Sequence, residues 1–326
     1  MTSGSPGRLI ILFAIPLMLG NICQQLYTMV DTMVVGQIAG VEALAALGAV
    51  DFLLWVVTGI STGLTQGFSI QLSQYYGAKD FENLRKSLAH SYRLTAFIAV
   101  GVFILSQSFA ALVLTGLHTP SNIIGMSLLY LRIIFCGIPA TAAYNMFAAA
   151  LRAMGNSKTP LTAMIIASVL NISLDILFVA GFGWGVAGAA IATVIAQSFS
   201  AVYCFLILRR IDIVHLSRAD FMTATGMTAR LMKLGIPVVF QNIIIGVGGL
   251  VVQYVINGYG FLFVAGFTAT NKLYGLLEMA AISYGYAIVT YVGQNLGAGR
   301  IDRIRKGVRS SMLLSLLTSL IISAAI

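Results

Sequence analysis

Charge is what this 326-residue sequence has least of: Asp, Glu, Lys and Arg together make 9% of it, against 59% hydrophobic residues. No soluble domain of this length carries that balance, and a mean hydropathy of +0.94 goes with it. Histidine and cysteine are nearly as scarce, with three of each. Cys23, Cys136 and Cys204 fall inside apolar stretches at unrelated spacings. That excludes a disulfide framework or a metal cluster and leaves them as small core residues. His90, His118 and His215 fall at span ends or in connections. The match of Gly59-Ile60-Ser61-Thr62-Gly63 to a nucleophile elbow therefore has neither its base nor its strand-turn-helix setting. The G-x-G-x-x-G of Gly183, Gly185 and Gly188 joins two apolar spans where a dinucleotide site needs a preceding strand. With no nucleophile beside a base and no metal quartet, the chain is not read as an enzyme and needs no cofactor.

What is present is a series of long apolar runs with basic residues on alternate connections. The formal charge is +9, yet 17 of the 19 Lys and Arg sit before the first span and after the second, fourth, sixth and eighth. The intervening connections, near 37–46, 115–122, 181–185 and 258–264, hold none. This bias is the signature of membrane topology, not a nucleic-acid footprint, and it puts the N-terminus in the cytoplasm. The first run is too long for a signal-peptide core and lacks a small-residue cleavage pattern, so it is expected to stay as a span.

The first run, residues 9–36, gives roughly 42 Å of helix, more than the roughly 30 Å hydrocarbon core needs. Asn21, Gln24, Gln25, Thr28, Asp31 and Thr32 recur on it at spacings of three and four, forming one polar stripe. Such a stripe faces protein or water, and a carboxylate at this depth marks a functional site by default. The plain alternative is that Asp31 caps a packed interface. Pro16 removes a backbone hydrogen bond and offers a place to bend, or is tolerated by its neighbours. Asn171 and Asp175 share a face of the fifth span, and Thr193 and Gln197 follow one another by a turn on the sixth. Counted from the outer helix ends, Asp31, Asp175 and Thr193 fall at one depth, roughly 7–12 Å in. Two carboxylates in a low dielectric do not both stay charged without a cation or proton, so Asp31, Asn171, Asp175 and Thr193 form an expected proton or Na+ site. Gly59, Gly63 and Gly67 on the second span let another helix approach closely. Arg132, within the fourth span, is expected to pair with Asp51 at similar depth.

The chain divides into 1–208, with six spans, a polar linker over 209–230, and 231–326, with two spans and part of a third. The second part repeats the first. Gly235-Ile236-Pro237 follows Ala14-Ile15-Pro16 by 221 residues, and Gln294-x-x-Gly297-Ala298 follows Gln74-x-x-Gly77-Ala78 by 220. Over thirteen aligned residues of the latter stretch five are identical. Six spans separate the copies, so the repeat is parallel. Val251 or Val252 stands in the place of Asp31, which leaves the carboxylate site single. On the eighth span Glu278 is either a second contact for protons or cationic substrate or a partner of Lys272.

Taken together, several stretches resemble the multidrug and toxic compound extrusion (MATE) transporters of prokaryotes. They are Pro16 with Gln24, the run Val30-Asp31-Thr32-Met33-Val34-Val35-Gly36, and the two Gln-x-x-Gly-Ala copies. Leu151 through Pro160 and Asn171-x-x-x-Asp175 add to them. The resemblance extends to the last residue and implies a family fold of twelve helices in two lobes, of which this chain lacks the last three to four. It implies efflux of cationic or amphipathic xenobiotics at the cell inner (plasma) membrane, coupled to Na+ or H+ entry. It further implies Asp31, Asn171, Asp175 and Thr193 as the coupling site and Pro16 as the bend of the first helix, with Tyr130 and Asn145 close by. We expect Gln24, Tyr130, Asn145 and Glu278 on the substrate cavity of an all-α, multi-pass monomer whose partners are small molecules and lipid. The alternative reading is a flippase for a lipid-linked saccharide, which needs a cationic cavity for pyrophosphate.

Overall fold

A backbone in lipid has no water to satisfy its N–H and C=O groups, so apolar runs of this length close their hydrogen bonds internally as helices. The computed structural model describes residues 1–222 and 226–325, with all their side chains except those at 272, 273, 276, 277 and 325. Thr223 and Thr225 of the expected linker and the side chain of Lys272 lie outside the described residues. Among the described residues eleven α-helices run in order, with no strand. They are α1 (Pro6–Ile38), α2 (Val41–Gly48), α3 (Asp51–Ala78), α4 (Phe81–Gly116), α5 (Ile124–Cys136), α6 (Ile138–Ala153), α7 (Lys158–Asp175), α8 (Gly185–Arg209), α9 (Met227–Asn257), α10 (Phe261–Gly297) and α11 (Ile301–Ala325). Seven spans meet length and apolarity alone, and α5 with α6 makes an eighth, bent by 48° at their junction. The bend follows from sequence, because Pro139 sits in the first turn of α6 and cannot continue the helix before it. At 37 residues α10 is long enough to cross as well.

Two connections are tighter than the polar runs in the sequence suggest. The charged stretch 77–86 shrinks to a turn at Lys79, which adopts φ 59° as the left-handed end of α3, and Asp80. The Asp80 carboxylate accepts from the Asn83 amide N–H at 3.1 Å and its side chain at 2.7 Å, so α4 starts directly after it, inside the charged stretch. The polar segment after α8 also folds. Ser217 and Asp220 form a capping box around a short 3₁₀ turn, Arg218–Phe221, and α9 begins at Met227, earlier than the linker boundary at 230.

The halves meet through glycine. Along α3, Gly59, Gly63 and Gly67 face α9, where a methyl group on Gly63 would come within 2.8 Å of the Val239 nitrogen and one on Gly67 would strike the Gly235 backbone. Asn242 Nδ2 donates to the Gly59 carbonyl at 3.0 Å across this contact. At the ends carrying the basic connections, α3 meets α10. There a methyl on Gly77 would strike the Gln294 carbonyl and one on Gly297 the Gln74 carbonyl. The two copies of the repeated motif thus lie against each other, each glycine on the other's glutamine backbone. Gln294 Nε2 adds a 2.8 Å bond to the Ala153 carbonyl at the end of α6. α1 runs unbroken through Pro16 and packs on α7 and α10.

Candidate functional site

The polar stripe of α1 divides, with Asn21 donating to Ser283 of α10 while Asp31 lies in the bundle with α7 and α8; Asp31, Asn171 and Asp175 are all buried, the last two completely. Asn171 Nδ2 donates to Thr193 Oγ1 at 3.4 Å, which ties α7 to α8. Asp31 and Thr193 border one cavity, and Asp175 stands one helical turn after Asn171 on α7, so the four expected residues lie on adjoining stretches of α1, α7 and α8.

Asp175 occupies the last α-helical position before a turn of π-helix, Ile176–Gly181. Such a turn adds a residue to the helical circuit and displaces the side chains beside it, a device common at functional sites. Among the described residues, no hydrogen-bond donor reaches either Asp175 oxygen, Asn171 Oδ1 or Gln197 Oε1. Burying acceptors without donors costs free energy of about 1–3 kcal/mol each, more for a charged group. An excess of oxygen acceptors with two acidic groups is the donor set that hard monovalent cations and protons take.

One member of this site, Tyr27, carries no signal in the apolar count. Tyr27 is buried one helical turn before Asp31, and Gln197 Nε2 donates to its hydroxyl at 3.2 Å. Its position at i−4 on the polar stripe was the available clue, hidden because tyrosine counts as hydrophobic. Gln197 stands one turn after Thr193 and closes the ring from α8.

Asp31 and Thr193 open onto a cavity of about 340 Å³ bounded by α1, α3, α5, α6, α8 and α10. Gln24, Tyr130 and Asn145 line it, with the Asn145 amide donating to Thr62 Oγ1 at 3.2 Å. At its basic end Arg152 lies 4.7 Å from the centre of the Tyr286 ring, a cation–π cover between the halves. Beyond it the contact of Gly77 and Gly297 closes α3 on α10. Glu278 departs from expectation. It lines a separate cavity of about 280 Å³ with Trp55 and Tyr274, and Asp51 borders both chambers. The expected pairing of Arg132 with Asp51 does not form: Arg132 is on the exposed side of α5 and makes no ion pair among the described residues. Its long apolar stem lets the charge reach outward from that face, so burial does not force a partner.

Known proteins of this architecture share both halves. A family model described as MatE matches residues 16–177 and again 237–326, each match beginning at the proline inside the first helix of its half. The chain is 31% identical over 303 residues to "Probable multidrug resistance protein YpnP" of Bacillus subtilis (strain 168), across 93% of this chain and 68% of that protein. Its fold superposes with a TM-score of 0.90 on a ligand-bound structure of the MATE multidrug transporter DinF-BH, at 24% identity and covering 97% and 72% of the two chains. It superposes at 0.87 on an outward-facing multidrug resistance MATE family transporter of the MOP superfamily, at 23% identity over 99% and 71%. The chain spans about two thirds of the length of its relatives. From the paired prolines through the repeated glutamine-glycine contact to the two separately matched halves, sequence and fold agree that this chain belongs to the MATE family of multidrug efflux transporters.

Proposed function

We propose that the chain exports cationic or amphipathic compounds across the plasma membrane in exchange for Na+ or H+, with its N-terminus and basic connections in the cytoplasm. The observation that carries this reading is the surplus of buried acceptor oxygens around Asp175, set beside Asp31 and next to a cavity of substrate size. In this reading the close contact of α3 with α10 shuts the basic end, and the coupling ion arrives from the outer side. Its arrival neutralises the Asp31 and Asp175 pair and lets α1 settle against α7 and α8. Substrate contacts along the same stripe, at Gln24 and Asp31, are lost as that face closes. A single charge moving down 100 mV supplies about 2.3 kcal/mol, a concentration ratio of roughly fiftyfold.

Efflux is favoured over lipid-linked saccharide flipping by the cavity's charge. Among the described residues its lining has one basic side chain, Arg152, and that guanidinium is already placed over Tyr286, so a pyrophosphate meets no cluster of cations there. The test is uptake of a fluorescent cation into inverted vesicles, driven separately by a Na+ or a pH gradient. Asp31→Asn is expected to abolish gradient-driven uptake. Undiminished coupled uptake by that variant would refute the assignment, and the gradient that drives the native protein identifies the ion.

A further inference from the structure

Away from the central cavity, the transport reading leaves unused a chamber of about 570 Å³ at the basic end, between the start of α4, the end of α8 and the 3₁₀ turns that follow it. Its walls are Tyr92, Phe205, Leu208 and Leu216, its polar side-chain groups are those of Arg209 and His215 with the Tyr92 hydroxyl, and among the described residues its lining holds no carboxylate. We propose that it is a binding site for an anionic phospholipid of the leaflet at that end, with the phosphate on Arg209 and Arg210 and an acyl chain running down α8.

Three placements support a lipid over a soluble anion. Val202 and Leu206, 56% and 49% exposed, continue the chamber's apolar wall along the membrane-facing side of α8, so a chain entering from the bilayer finds a continuous track. The charged end of that track is held in place. Arg209 lies 5.9 Å from the centre of the Phe205 ring, and a His215 ring nitrogen is 3.0 Å from the Arg209 carbonyl. On the far wall Arg93 Nη2 donates to the Phe221 carbonyl at 2.7 Å, which pins the 3₁₀ turn to α4 and sets another cation at the rim. The acidic residue of that turn, Asp220, is turned inward onto Ser217 and faces Arg85 at 4.0 Å, so it does not oppose an incoming phosphate. A free phosphate would leave the apolar walls unused, whereas basic pockets between membrane helices suit lipid head groups. Basic residues here also serve topology, and that role alone would make every basic connection equivalent.

The test is native mass spectrometry of the protein carried in mixed phosphatidylglycerol and phosphatidylcholine, followed by stepwise delipidation. Phosphatidylglycerol is expected to be retained preferentially. Arg209→Gln with Arg210→Gln should weaken its retention about fivefold per arginine removed. Arg209→Lys with Arg210→Lys should keep it, and so should Arg300→Gln with Arg305→Gln on the next basic connection. Leu216→Trp, which fills the chamber and leaves all charges, should lose it even if the glutamine variant fails to fold. Equal retention in the Leu216→Trp protein, an equal loss from the Arg300 and Arg305 variant, or displacement of the lipid by inorganic phosphate would each overturn the proposal.

Discussion

Asp175 is positioned by α7, desolvated by its neighbours and offered no donor among the described residues, which is an arrangement that stability alone disfavours. Replacing it with asparagine supplies an N–H₂ beside Asn171 Oδ1 and removes the charge. Asp175→Asn is therefore expected to end ion-coupled efflux while holding or raising the melting temperature, by about 2–4 °C for each kcal/mol gained. Loss of transport with a fall in melting temperature would instead mark Asp175 as a structural residue. Tyr27 offers a milder contrast: Tyr27→Phe removes the hydroxyl that accepts from Gln197 Nε2 and leaves both carboxylates, so it is expected to slow transport without uncoupling it, read as turnover against ion dependence in the same vesicles. Much of this site was legible in the sequence, because a fixed rise of about 1.5 Å per residue turns distance from a helix end into depth, and Asp31, Asp175 and Thr193 matched. Depth says nothing of azimuth. For that reason Arg132 and Glu278, at suitable heights, turned out to face elsewhere, and the π-turn after Asp175 left no trace in the residues that form it.

Among the elements, α3 carries the largest share of the contacts between halves, since glycines along it touch α9 and its last turn touches α10. The glycine spacing foretold close approach but not which helix would approach, since any helix fits a groove four residues in period. Gly67 has no room for a side chain, as the Gly235 backbone fills its place, and rigid backbone does not yield as a side chain tip does. Gly67→Leu is expected to cost about 3 kcal/mol or more and to abolish folded protein in a size-exclusion assay, while Gly101→Ala, which meets nothing within 4 Å, is expected to leave the profile unchanged. The contact of Gly77 with the Gln294 carbonyl is of a different kind, because in the proposed cycle it holds the basic end shut. Gly77→Ala forces α3 from α10 there and is expected to favour the opposite opening. The reporter is a cysteine in place of the buried Ser73, in a protein freed of its three native cysteines, labelled from the basic side with an impermeant maleimide. Labelling should speed up several-fold in the Gly77→Ala background; an unchanged rate would show that this contact does not hold the end closed.

The whole molecule is a repeat whose copies share a scaffold but not a charge. Pro16 and Pro237 occupy the same place in α1 and α9, and the family model starts at each of them. The parallel order of the halves was legible because alternate basic connections and the Gln-x-x-Gly-Ala copies both count spans, which side-chain packing does not disturb. Their joining surface was not, because it depends on which faces two separate bundles turn to each other. Symmetry breaks at one position in particular: the residue 221 places after Asp31 is Val252, on an exposed stretch of α9. Ion binding can then do work on α1 but not on its repeat α9, since only a helix that holds a ligand group gains differential free energy between loaded and empty states. A proline within such a helix leaves one backbone carbonyl unbonded and lowers the cost of bending it. Pro16→Ala is therefore expected to stiffen the moving element and cut transport turnover about tenfold or more, with equilibrium substrate binding little changed. Pro237→Ala, on the helix without a carboxylate, should leave turnover within about twofold of the native rate, because the ion has no ligand through which to drive that helix. Equal losses from the two substitutions, measured in the same vesicles, would mean that both halves move under the ion's pull and that the break in symmetry at Val252 has no bearing on coupling.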